Sequence, residues 1–266
     1  MGNYLGQHFL KNKSALEKIA IALNILKNET VIEIGPGHGE LTDELMANSK
    51  WLMENGKLIL IEKDDTLASS LKEKFSDNKQ IEIINGDALE ELTKITSNKQ
   101  LAINNYKIVG NIPYYITGHL LRTIGELKNK PKITVLTIQK EVAERICAKK
   151  PKMNLLAAAT QFWSEPKILF LLKQDDFDPP PDVESAVIEL ATKQLTTNNK
   201  KTEDYYKIIH VIFKQPRKTI FNNLRSGLQL SEEKIKNALL GIKISPTARA
   251  QDLSLNQLEE LAELLT

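Results

Sequence analysis

The sequence has few residues of the kinds that cross-link small domains or hold metal ions. It contains one cysteine, Cys147, which excludes an internal disulfide framework and any metal site built from several cysteines. The four histidines, His8, His38, His119 and His210, are scattered and show no metal-ligand spacing. We therefore expect a protein without a metal site.

Long apolar runs and a strong charge imbalance are also missing. No run approaches the ~18 apolar residues of a membrane span, and the first residues carry no signal-peptide pattern. The formal net charge is only +2, so a nucleic-acid surface has to come from local clustering of cations. Hydrophobic content of 41% and charged content of 26% are ordinary for a globular protein. These features predict a cytoplasmic, monomeric enzyme or binding protein without a membrane partner.

Strand patterns alternate with helix patterns over the first part of the chain. The pattern predicts strands at 30–34, 57–62, 81–84, 106–109 and 133–138, and helices at 12–27, 40–54, 65–75, 117–127 and 141–148. The run at 57–62 is almost continuously apolar, which is typical of a strand buried on both faces of a parallel sheet. The alternation predicts an α/β fold whose parallel strands are joined by right-handed crossovers.

The pattern changes in the second part of the chain. A helix is predicted at 154–163, and strands at 167–172 and 185–191 could pair as a hairpin-like edge, joined by the proline-rich connector 177–182. Residues 193–204 have the composition of a linker, and the helices predicted after it are at 205–214, 217–228, 232–240 and 256–265. We therefore expect a catalytic domain over 1–192, a linker over 193–204 and a small all-helical domain over 205–266.

The stretch Asn111-Ile112-Pro113-Tyr114 follows a predicted strand, at the sheet edge where open α/β folds bind their ligands. The Asn111 side-chain oxygen and the Ile112 carbonyl would offer two acceptors beside the aromatic face of Tyr114. Two acceptors beside a stacking ring suit an exocyclic amino group on a nucleobase such as adenine. An ordinary turn with a tyrosine packed on the core is the alternative.

A glycine-rich turn, Gly35-Pro36-Gly37-His38-Gly39, joins the first predicted strand to a helix, and Glu62 ends the next strand. Such a turn lets the backbone approach a ligand, and the carboxylate can accept hydrogen bonds from ribose hydroxyls. Enzymes using dinucleotides and enzymes using S-adenosylmethionine share this arrangement. The dinucleotide pattern requires glycine or alanine where this chain has Glu40, so S-adenosylmethionine is favoured. Asp87, after the third strand, could accept a hydrogen bond from its adenine amine.

Cations without a neighbouring acid mark the helical tail. Between residues 205 and 230 the charged side chains are Lys207, Lys214, Arg217, Lys218 and Arg225. A cluster of this kind is typical of a surface that binds RNA phosphates, although most charge runs are solvated helix faces.

Motifs along most of the chain resemble those of the ribosomal RNA adenine dimethyltransferase family, in its small-subunit branch. They are Gly6-Gln7-His8-Phe9-Leu10, Glu33-Ile34-Gly35-Pro36-Gly37, Glu62 with Asp64, Gly86-Asp87-Ala88, Asn111-Ile112-Pro113-Tyr114, Gln139 with Glu141-Val142-Ala143 and Arg145, Phe177 with Pro179-Pro180-Pro181 and Ser185-Ala186-Val187, Phe213, Arg217-Lys218-Thr219, Asn223-Leu224, Arg249, Leu253 and Ser254. The resemblance implies a Rossmann-like S-adenosylmethionine-dependent methyltransferase sheet, with ribosomal RNA and the small-subunit precursor as partners.

The resemblance also implies roles for single residues. Asn111, Ile112, Tyr114 and Phe177 would hold the target adenine, flipped between the rings of Tyr114 and Phe177. The cofactor would contact Gln7, His8, Leu10, Gly35, Gly37, Glu62, Asp87, Ala88 and Asn111. Lys214, Arg217, Lys218 and Arg225 would contact RNA. The chain departs from the family at His8, where asparagine is usual, at Met153-Asn154-Leu155, where Tyr-Gly is common, and at Pro216, inside the usual arginine run.

The activity implied is dimethylation of the exocyclic amine of adenines, two adjacent ones, in small-subunit ribosomal RNA, with a role in ribosome subunit maturation. Four alternatives stay open: a large-subunit methyltransferase of the macrolide-resistance type, an enzyme acting on DNA bases, a non-catalytic ribosome-assembly factor and a nicotinamide-dependent dehydrogenase. The intact Asn111-Ile112-Pro113-Tyr114 motif disfavours a pure binding factor, and Glu40 disfavours the dehydrogenase.

Overall fold

A computed structural model describes residues 7–47, 56–97, 105–194 and 199–266. The chain divides into two compact units. The sheet unit comprises residues 1–143 and 165–192, and the helical unit comprises residues 144–164 and 193–266. None of the helices in these described stretches has the length and apolar character needed to cross a bilayer.

The helices and strands follow one another in the order expected of an α/β protein with a helical addition. The strands are β1 (Phe9–Leu10), β2 (Thr30–Ile34), β3 (Lys57–Glu62), β4 (Ile81–Asn85), β5 (Tyr106–Asn111), β6 (Ile133–Gln139), β7 (Ser164–Leu172), β8 (Phe177–Asp178) and β9 (Ser185–Thr192). The helices are α1 (Lys13–Ala22), α2 (Glu40–Ala47), α3 (Asp65–Lys74), α4 (Ala88–Ser97), α5 (Thr117–Glu126), α6 (Lys140–Ile146), α7 (Leu155–Trp163), α8 (Asn199–Phe213), α9 (Ile220–Gly227), α10 (Glu232–Gly241) and α11 (Leu255–Leu265).

The central sheet has seven strands in the order β4-β3-β2-β5-β6-β9-β7. The pairs β2–β3, β2–β5, β3–β4 and β5–β6 are parallel, and β9 runs antiparallel to β6. Leu58, Ile59, Leu60 and Ile61 of β3 are at most 1% exposed, which agrees with burial on both faces of the sheet. The strand order reverses between β2 and β5, and their carboxyl ends therefore border the crevice in which such sheets bind ligands.

A second, two-stranded sheet attaches the start of the chain to the proline-rich connector. In it Phe9 lies opposite Asp178 and Leu10 lies opposite Phe177. The Lys11 amide continues this contact by donating to the Asp176 carbonyl at 2.8 Å. No strand is predicted at 9–10, and 177–182 is predicted only as an extended connector, because two-residue strands are too short to show an alternating pattern.

Other differences from the sequence predictions concern local boundaries. Helix α4 was not predicted, and residues 48–54 of the second predicted helix lie outside the described residues. Helix α9 begins at Ile220, after a turn in which the Lys218 amide donates to the Gln215 carbonyl. Arg217 and Lys218 therefore precede this helix, in contrast to the predicted start at 217.

The helical unit is built differently from the predicted C-terminal domain. It includes α7 and residues 144–164, which the sequence analysis assigned to the catalytic domain. Helix α8 begins at Asn199, inside the predicted linker. The ring of Phe162, from α7, stacks on Tyr205 of α8 with centroids 4.1 Å apart, so an early segment of the chain completes the core of this unit.

Candidate active site

Strand β5 ends at Asn111, and the close approach of β2 explains the glycine just before it. A Cβ atom on Gly110 would clash with the Ile34 carbonyl oxygen, so no other residue fits there without a backbone shift. Asn111 Nδ2 donates to the His8 carbonyl oxygen at 2.7 Å. Because a carbonyl oxygen only accepts hydrogen bonds, the Asn111 atom beside it is the amino nitrogen. The side-chain oxygen Oδ1 is thereby left as the acceptor of this amide.

The glycine-rich turn between β2 and α2 has the backbone that only glycine adopts easily. Gly35, Gly37 and Gly39 all have positive φ, of 64°, 61° and 89°. A Cβ atom on Gly37 would also lie 2.7 Å from the ring of Phe9. The turn is therefore closely packed against the short β1 strand, and a side chain at residue 37 would push the two apart.

Glu62 is held at the end of β3 with its carboxylate nearly buried. The Gly37 amide donates to Glu62 Oε2 at 3.1 Å and the Asp64 amide donates to Oε1 at 2.9 Å. Glu62 is 4% exposed, and this burial raises the pKa of its carboxyl group above its ordinary value. The carboxylate therefore fastens the glycine turn to β3 as well as facing the crevice.

Asp87 follows β4 and is already engaged within the protein. Lys63 Nζ donates to Asp87 Oδ2 at 2.9 Å, and the Leu89 amide donates to Oδ1 at 2.9 Å. The Lys63 hydrogen bond lowers the pKa of Asp87, so the group is a carboxylate at neutral pH. Sequence reasoning missed Lys63, because a lysine after a strand resembles any solvated strand end.

One cavity of the sheet unit collects these groups. Its volume is about 840 Å³, part of it open to solvent. The residues around it are Gln7, His8, Phe9, Ile34, Gly35, Gly37, Ile61, Glu62, Lys63, Gly86, Asp87, Ala88, Asn111, Ile112, Pro113, Tyr114, Tyr115 and Ile116. Almost all the residues predicted to hold the cofactor or the target base therefore meet in one place.

Tyr114 is held between two other side chains at this cavity. Its hydroxyl lies 2.7 Å from Ser185 Oγ, and its ring is stacked on the ring of His8 with centroids 6.0 Å apart and planes 26° apart. His8 Nδ1 in turn lies 2.8 Å from the Pro179 carbonyl oxygen. The histidine that departs from the family pattern thus contacts both the connector and the tyrosine.

Two of the predicted site residues do not reach the cavity. Phe177 is 0% exposed and packs in the hydrophobic core, and the structure does not bring its ring together with that of Tyr114. Leu10 is 3% exposed and borders a smaller neighbouring cavity behind Gly35 and Asn111. The predicted pair of rings around the target base is therefore not assembled as predicted, since the ring next to Tyr114 is that of His8.

The smaller cavity also contains the carboxyl group of Glu33, on β2. Thr42 Oγ1 donates to Glu33 Oε2 at 2.7 Å, and burial raises the pKa of Glu33 to about 8. Glu33 is therefore protonated at neutral pH and can donate a hydrogen bond as well as accept one. A motif glutamate that the sequence placed in a strand is thus a neutral group beside the site.

In the helical unit, three of the predicted RNA contacts are exposed and the fourth is paired. Lys214, Arg217 and Lys218 are exposed. Arg225 Nη1 lies 3.0 Å from Glu232 Oε1, so the cation has an acidic partner two residues beyond the acid-free stretch 205–230. The prediction that no acid accompanies this cluster is wrong for Arg225.

Folding of the helical unit adds further cations near the start of α9. The Met153 amide donates to the Gln251 carbonyl at 3.2 Å, and the Ile220 amide donates to the Ala248 carbonyl at 2.9 Å. These bonds bring the turn 149–152 and the segment 248–251 close to the start of α9. Their exposed cations are Lys149, Lys150, Lys152 and Arg249. Among the described residues, none of them forms an ion pair.

Comparison with known proteins gives the family. The model of the ribosomal RNA adenine dimethylase family matches residues 3–266. The chain belongs to this family. Ribosomal RNA small subunit methyltransferase A of Dehalococcoides mccartyi (strain ATCC BAA-2100) is 38% identical over 260 residues, covering 97% of this chain and 86% of the relative. The protein of the same name from Fusobacterium nucleatum is 36% identical over 263 residues, covering 97% and 95%. The family predicted from the motifs is confirmed.

Solved structures confirm the fold of the family member. The dimethyladenosine transferase from Plasmodium falciparum superposes with a TM-score of 0.78 at 23% identity, covering 96% of each chain. The 23S rRNA methyltransferase ErmE superposes with a TM-score of 0.74 at 24% identity, covering 97% of this chain and 99% of that one. At these identities the likeness concerns the fold alone, and it confirms the predicted Rossmann-like methyltransferase sheet with its helical addition.

Proposed function

We propose that this chain transfers methyl groups from S-adenosylmethionine to the exocyclic amine of adenines in small-subunit ribosomal RNA. The observation that carries the proposal is the single cavity in which Asn111 and Tyr114 face Gly35, Glu62 and Asp87. A base-binding turn and a nucleoside-binding set of strand ends share one space there, as a transfer between two bound molecules requires. The family and its methyltransferase activity support the same reaction.

The cofactor half of the cavity fits S-adenosylmethionine by its chemistry. Bound there, this cofactor supplies a methyl group on a positively charged sulfur. The Glu62 carboxylate lies at a strand end where it accepts hydrogen bonds from vicinal hydroxyls. Gly35 and Gly37 leave room for a ligand against the backbone, and Asp87 supplies negative charge beside Lys63. The cavity lacks the extra glycine that a pyrophosphate needs, since residue 40 is Glu40.

The target half of the cavity acts on an amine that is a poor nucleophile. The lone pair of an adenine amine is conjugated into the ring and has to be freed before it can attack. Asn111 Oδ1 and the Ile112 carbonyl oxygen can each accept a hydrogen bond from one N–H group of the adenine amine. These two bonds draw the amine nitrogen toward tetrahedral geometry. The hydrogen bond from Asn111 Nδ2 to His8 fixes which amide atom faces the target. Transfer then needs alignment more than acid–base help.

Base stacking involves Tyr114 and a second ring. We propose that Phe177 also contacts the target base. Its ring is fully buried, so β8 would have to shift for this contact to form. His8 already lies against Tyr114 and is a second ring for the same purpose. The flipped base would be read by stacking and by its amine, as enzymes that modify single bases do.

The cations of the helical unit support RNA as the partner. Lys214, Arg217, Lys218 and Arg249 are exposed beside the lysine turn 149–152, and each can neutralise an RNA phosphate. The names of the relatives at 36–38% identity favour the small subunit over the large one. A substrate in the small-subunit precursor would place the reaction within subunit maturation.

Mass-spectrometric mapping of dimethyladenine tests the function directly. The protein is incubated with S-adenosylmethionine and unmodified small ribosomal subunits, and in a second reaction with S-adenosylmethionine and unmodified large subunits. We expect two adjacent dimethyladenines in small-subunit RNA and none in large-subunit RNA. Methylation only in large-subunit RNA would support the resistance-type alternative, and no methylation in either would support a binding factor.

Glu62→Gln is expected to weaken S-adenosylmethionine binding. The substitution keeps the size of the side chain but removes the charge that strengthens its hydrogen bonds to ribose hydroxyls. It also turns an NH2 group toward one of the two backbone amides that donate to the carboxylate. A loss of roughly 1–3 kcal/mol, about five- to 150-fold in dissociation constant, follows. Isothermal calorimetry measures it. Glu82→Gln is the matched control, because Glu82 pairs with Lys57 at the surface and is outside the cavity. Equal affinities for the two variants would refute the ribose contact.

Arg217→Gln together with Lys218→Gln is expected to reduce the salt dependence of RNA binding. Removing two phosphate contacts should lower the slope of log affinity against log salt by about one to two units, without changing which adenine is modified. Titration of small-subunit binding with salt measures the slope. Arg225→Gln is the control, because Glu232 already neutralises Arg225. An unchanged slope in the double variant would mean that Arg217 and Lys218 face solvent and do not contact RNA phosphates.

A further inference from the structure

The hydroxyl group of Tyr114 gives the fold a means of setting the direction in which this side chain points. It lies 2.7 Å from Ser185 Oγ, and Ser185 has no exposed surface. Burial raises the pKa of the Tyr114 phenol, so the group keeps its proton and remains able to donate. On its Ser185 side this hydrogen bond between two neutral hydroxyls is shielded from water, while Tyr114 is half-buried.

Ser185 is itself held by the sheet. It is the first residue of β9 and lies opposite Gln139 at the end of a continuous antiparallel register with β6. The Lys140 amide extends this pairing by donating to the Glu184 carbonyl at 3.0 Å. The Oγ atom is therefore fixed by regular backbone pairing and not by a loose connector.

The neighbouring tyrosine shows what the contact achieves. Tyr115, the next residue, is 61% exposed. Tyr114 is instead tied at its hydroxyl end by Ser185 and covered on one side by the His8 ring. The hydroxyl oxygen lies on the Cβ–Cγ axis about which the ring turns, so a bond at the far end of the ring fixes the direction of that axis and with it the χ1 rotamer. The neighbouring His8 ring limits rotation of the plane.

We propose that Ser185 is a positioning residue, which fixes the direction of the Tyr114 side chain so that the target base stacks without moving it. The inference rests on the proposed function, because a fixed ring matters only if a base binds there. A ring that is held in place before binding lowers the entropy cost of forming the complex. Loss of the hydrogen bond from Ser185 should therefore weaken the use of the RNA substrate and leave cofactor binding unchanged.

Three variants test this with small-subunit RNA as substrate: Ser185→Ala, Tyr114→Phe and the double variant. Each single change should lower kcat/KM for RNA by about three- to tenfold, the effect of one buried hydrogen bond, with the S-adenosylmethionine dissociation constant unchanged. The double variant should be no worse than either single one, because both remove the same bond. Independent, multiplying losses would overturn the proposal, as would a Ser185→Ala enzyme with wild-type kcat/KM.

A control variant separates positioning from general stability. Ser164→Ala removes another fully buried serine at the start of a strand, whose Oγ donates to the Thr160 carbonyl at 2.8 Å. This control should lower the melting temperature as Ser185→Ala does and leave kcat/KM unchanged. An equal kinetic loss in Ser164→Ala would assign the effect to stability and overturn the proposal.

A measurement without substrate keeps the inference apart from the proposed function. In protein labelled with ¹³C and ¹⁵N, the three-bond couplings from Tyr114 Cγ to its backbone N and C′ atoms, which report the χ1 rotamer, should show averaging over rotamers in Ser185→Ala and a single rotamer in wild type and in Ser164→Ala. A single rotamer in Ser185→Ala would overturn the positioning role. If wild-type protein transfers no methyl group, the proposed function fails, and the couplings still decide whether Ser185 fixes the side chain.

Discussion

Asn111→Ala is expected to reduce methyl transfer by at least about a hundredfold, because a misplaced acceptor at a reacting group costs on this order. The substitution removes the acceptor for the target amine, and it also removes the donor to the His8 carbonyl. The dissociation constant of S-adenosylmethionine should change by less than about tenfold, since the Asn111 amide contacts the target amine. Removing this amide should therefore lower kcat. Transfer of a tritiated methyl group and calorimetry with the cofactor measure the two quantities.

Two further variants sharpen this experiment. Asn111→Asp keeps the size and one acceptor but places an oxygen where Nδ2 donates to His8, so it should also lose most activity. Asn85→Ala is the matched control, because Asn85 also ends a parallel strand and donates to a backbone carbonyl, that of Glu62, at 3.2 Å, but is outside the cavity. Near-wild-type turnover in Asn111→Ala would remove Asn111 from the reaction.

Lys107→Met is expected to destabilise the sheet unit by about 3–5 kcal/mol, the usual cost of removing one partner of a buried ion pair. Lys107 is 3% exposed and Glu29 is 0% exposed, and their charged atoms are 2.7 Å apart. Lys107 Nζ also donates to the Asn24 carbonyl at 2.6 Å, so the pair ties the loop after α1 to β5. Thermal unfolding should shift downward on the order of 10 °C.

An exposed ion pair is the control for this prediction. Arg122 and Glu126 are paired on the surface of α5, with side chains 73% and 58% exposed, so Arg122→Ala should cost less than about 1 kcal/mol. Lys107→Met combined with Glu29→Gln should recover part of the lost stability, because the second change removes a buried charge that has lost its nearer partner and keeps the more distant Lys132, 3.6 Å away. Equal losses of stability in Lys107→Met and Arg122→Ala would contradict a stabilising role for the buried pair of Lys107 and Glu29.

The same pair predicts a pH dependence. Burial opposes the charge of Glu29, but the hydrogen bond from the Leu26 amide and the Lys107 ammonium outweigh it, so the pKa lies below its ordinary value of 4.5. A carboxyl group with a lowered pKa stabilises the fold above that ordinary value, and the contribution is lost as the pH falls through the lowered pKa. Wild-type protein should therefore lose more stability on acidification than the double variant Lys107→Met with Glu29→Gln.

Local patterns were sufficient for the parts of the fold that neighbouring residues determine. The apolar run at β3 predicted burial on both faces, and the alternation of strands and helices predicted the parallel sheet. The glycines at 35 and 37 predicted a turn at a strand end, where the structure has positive φ angles and close packing. Short strands were missed because two residues show no period. Helix α4 was missed although Asp87 and Glu90 have the spacing of a capping box and the Leu89 amide donates to Asp87 Oδ1.

The sequence by itself determined the family, the positions along the chain of most strands of the sheet and the identity of most residues around the cavity, because these depend on motifs and on spacing along the chain. The tertiary structure alone decided the contacts between distant segments. His8 reaches Asn111 across 103 positions, Ser185 reaches Tyr114 across 71, and Arg225 finds Glu232 instead of remaining a free cation. It also buried Phe177 and gave α7 to the helical unit. The physical reason is that periodicity and propensity describe one segment at a time, whereas these partners are selected by how whole segments pack against one another.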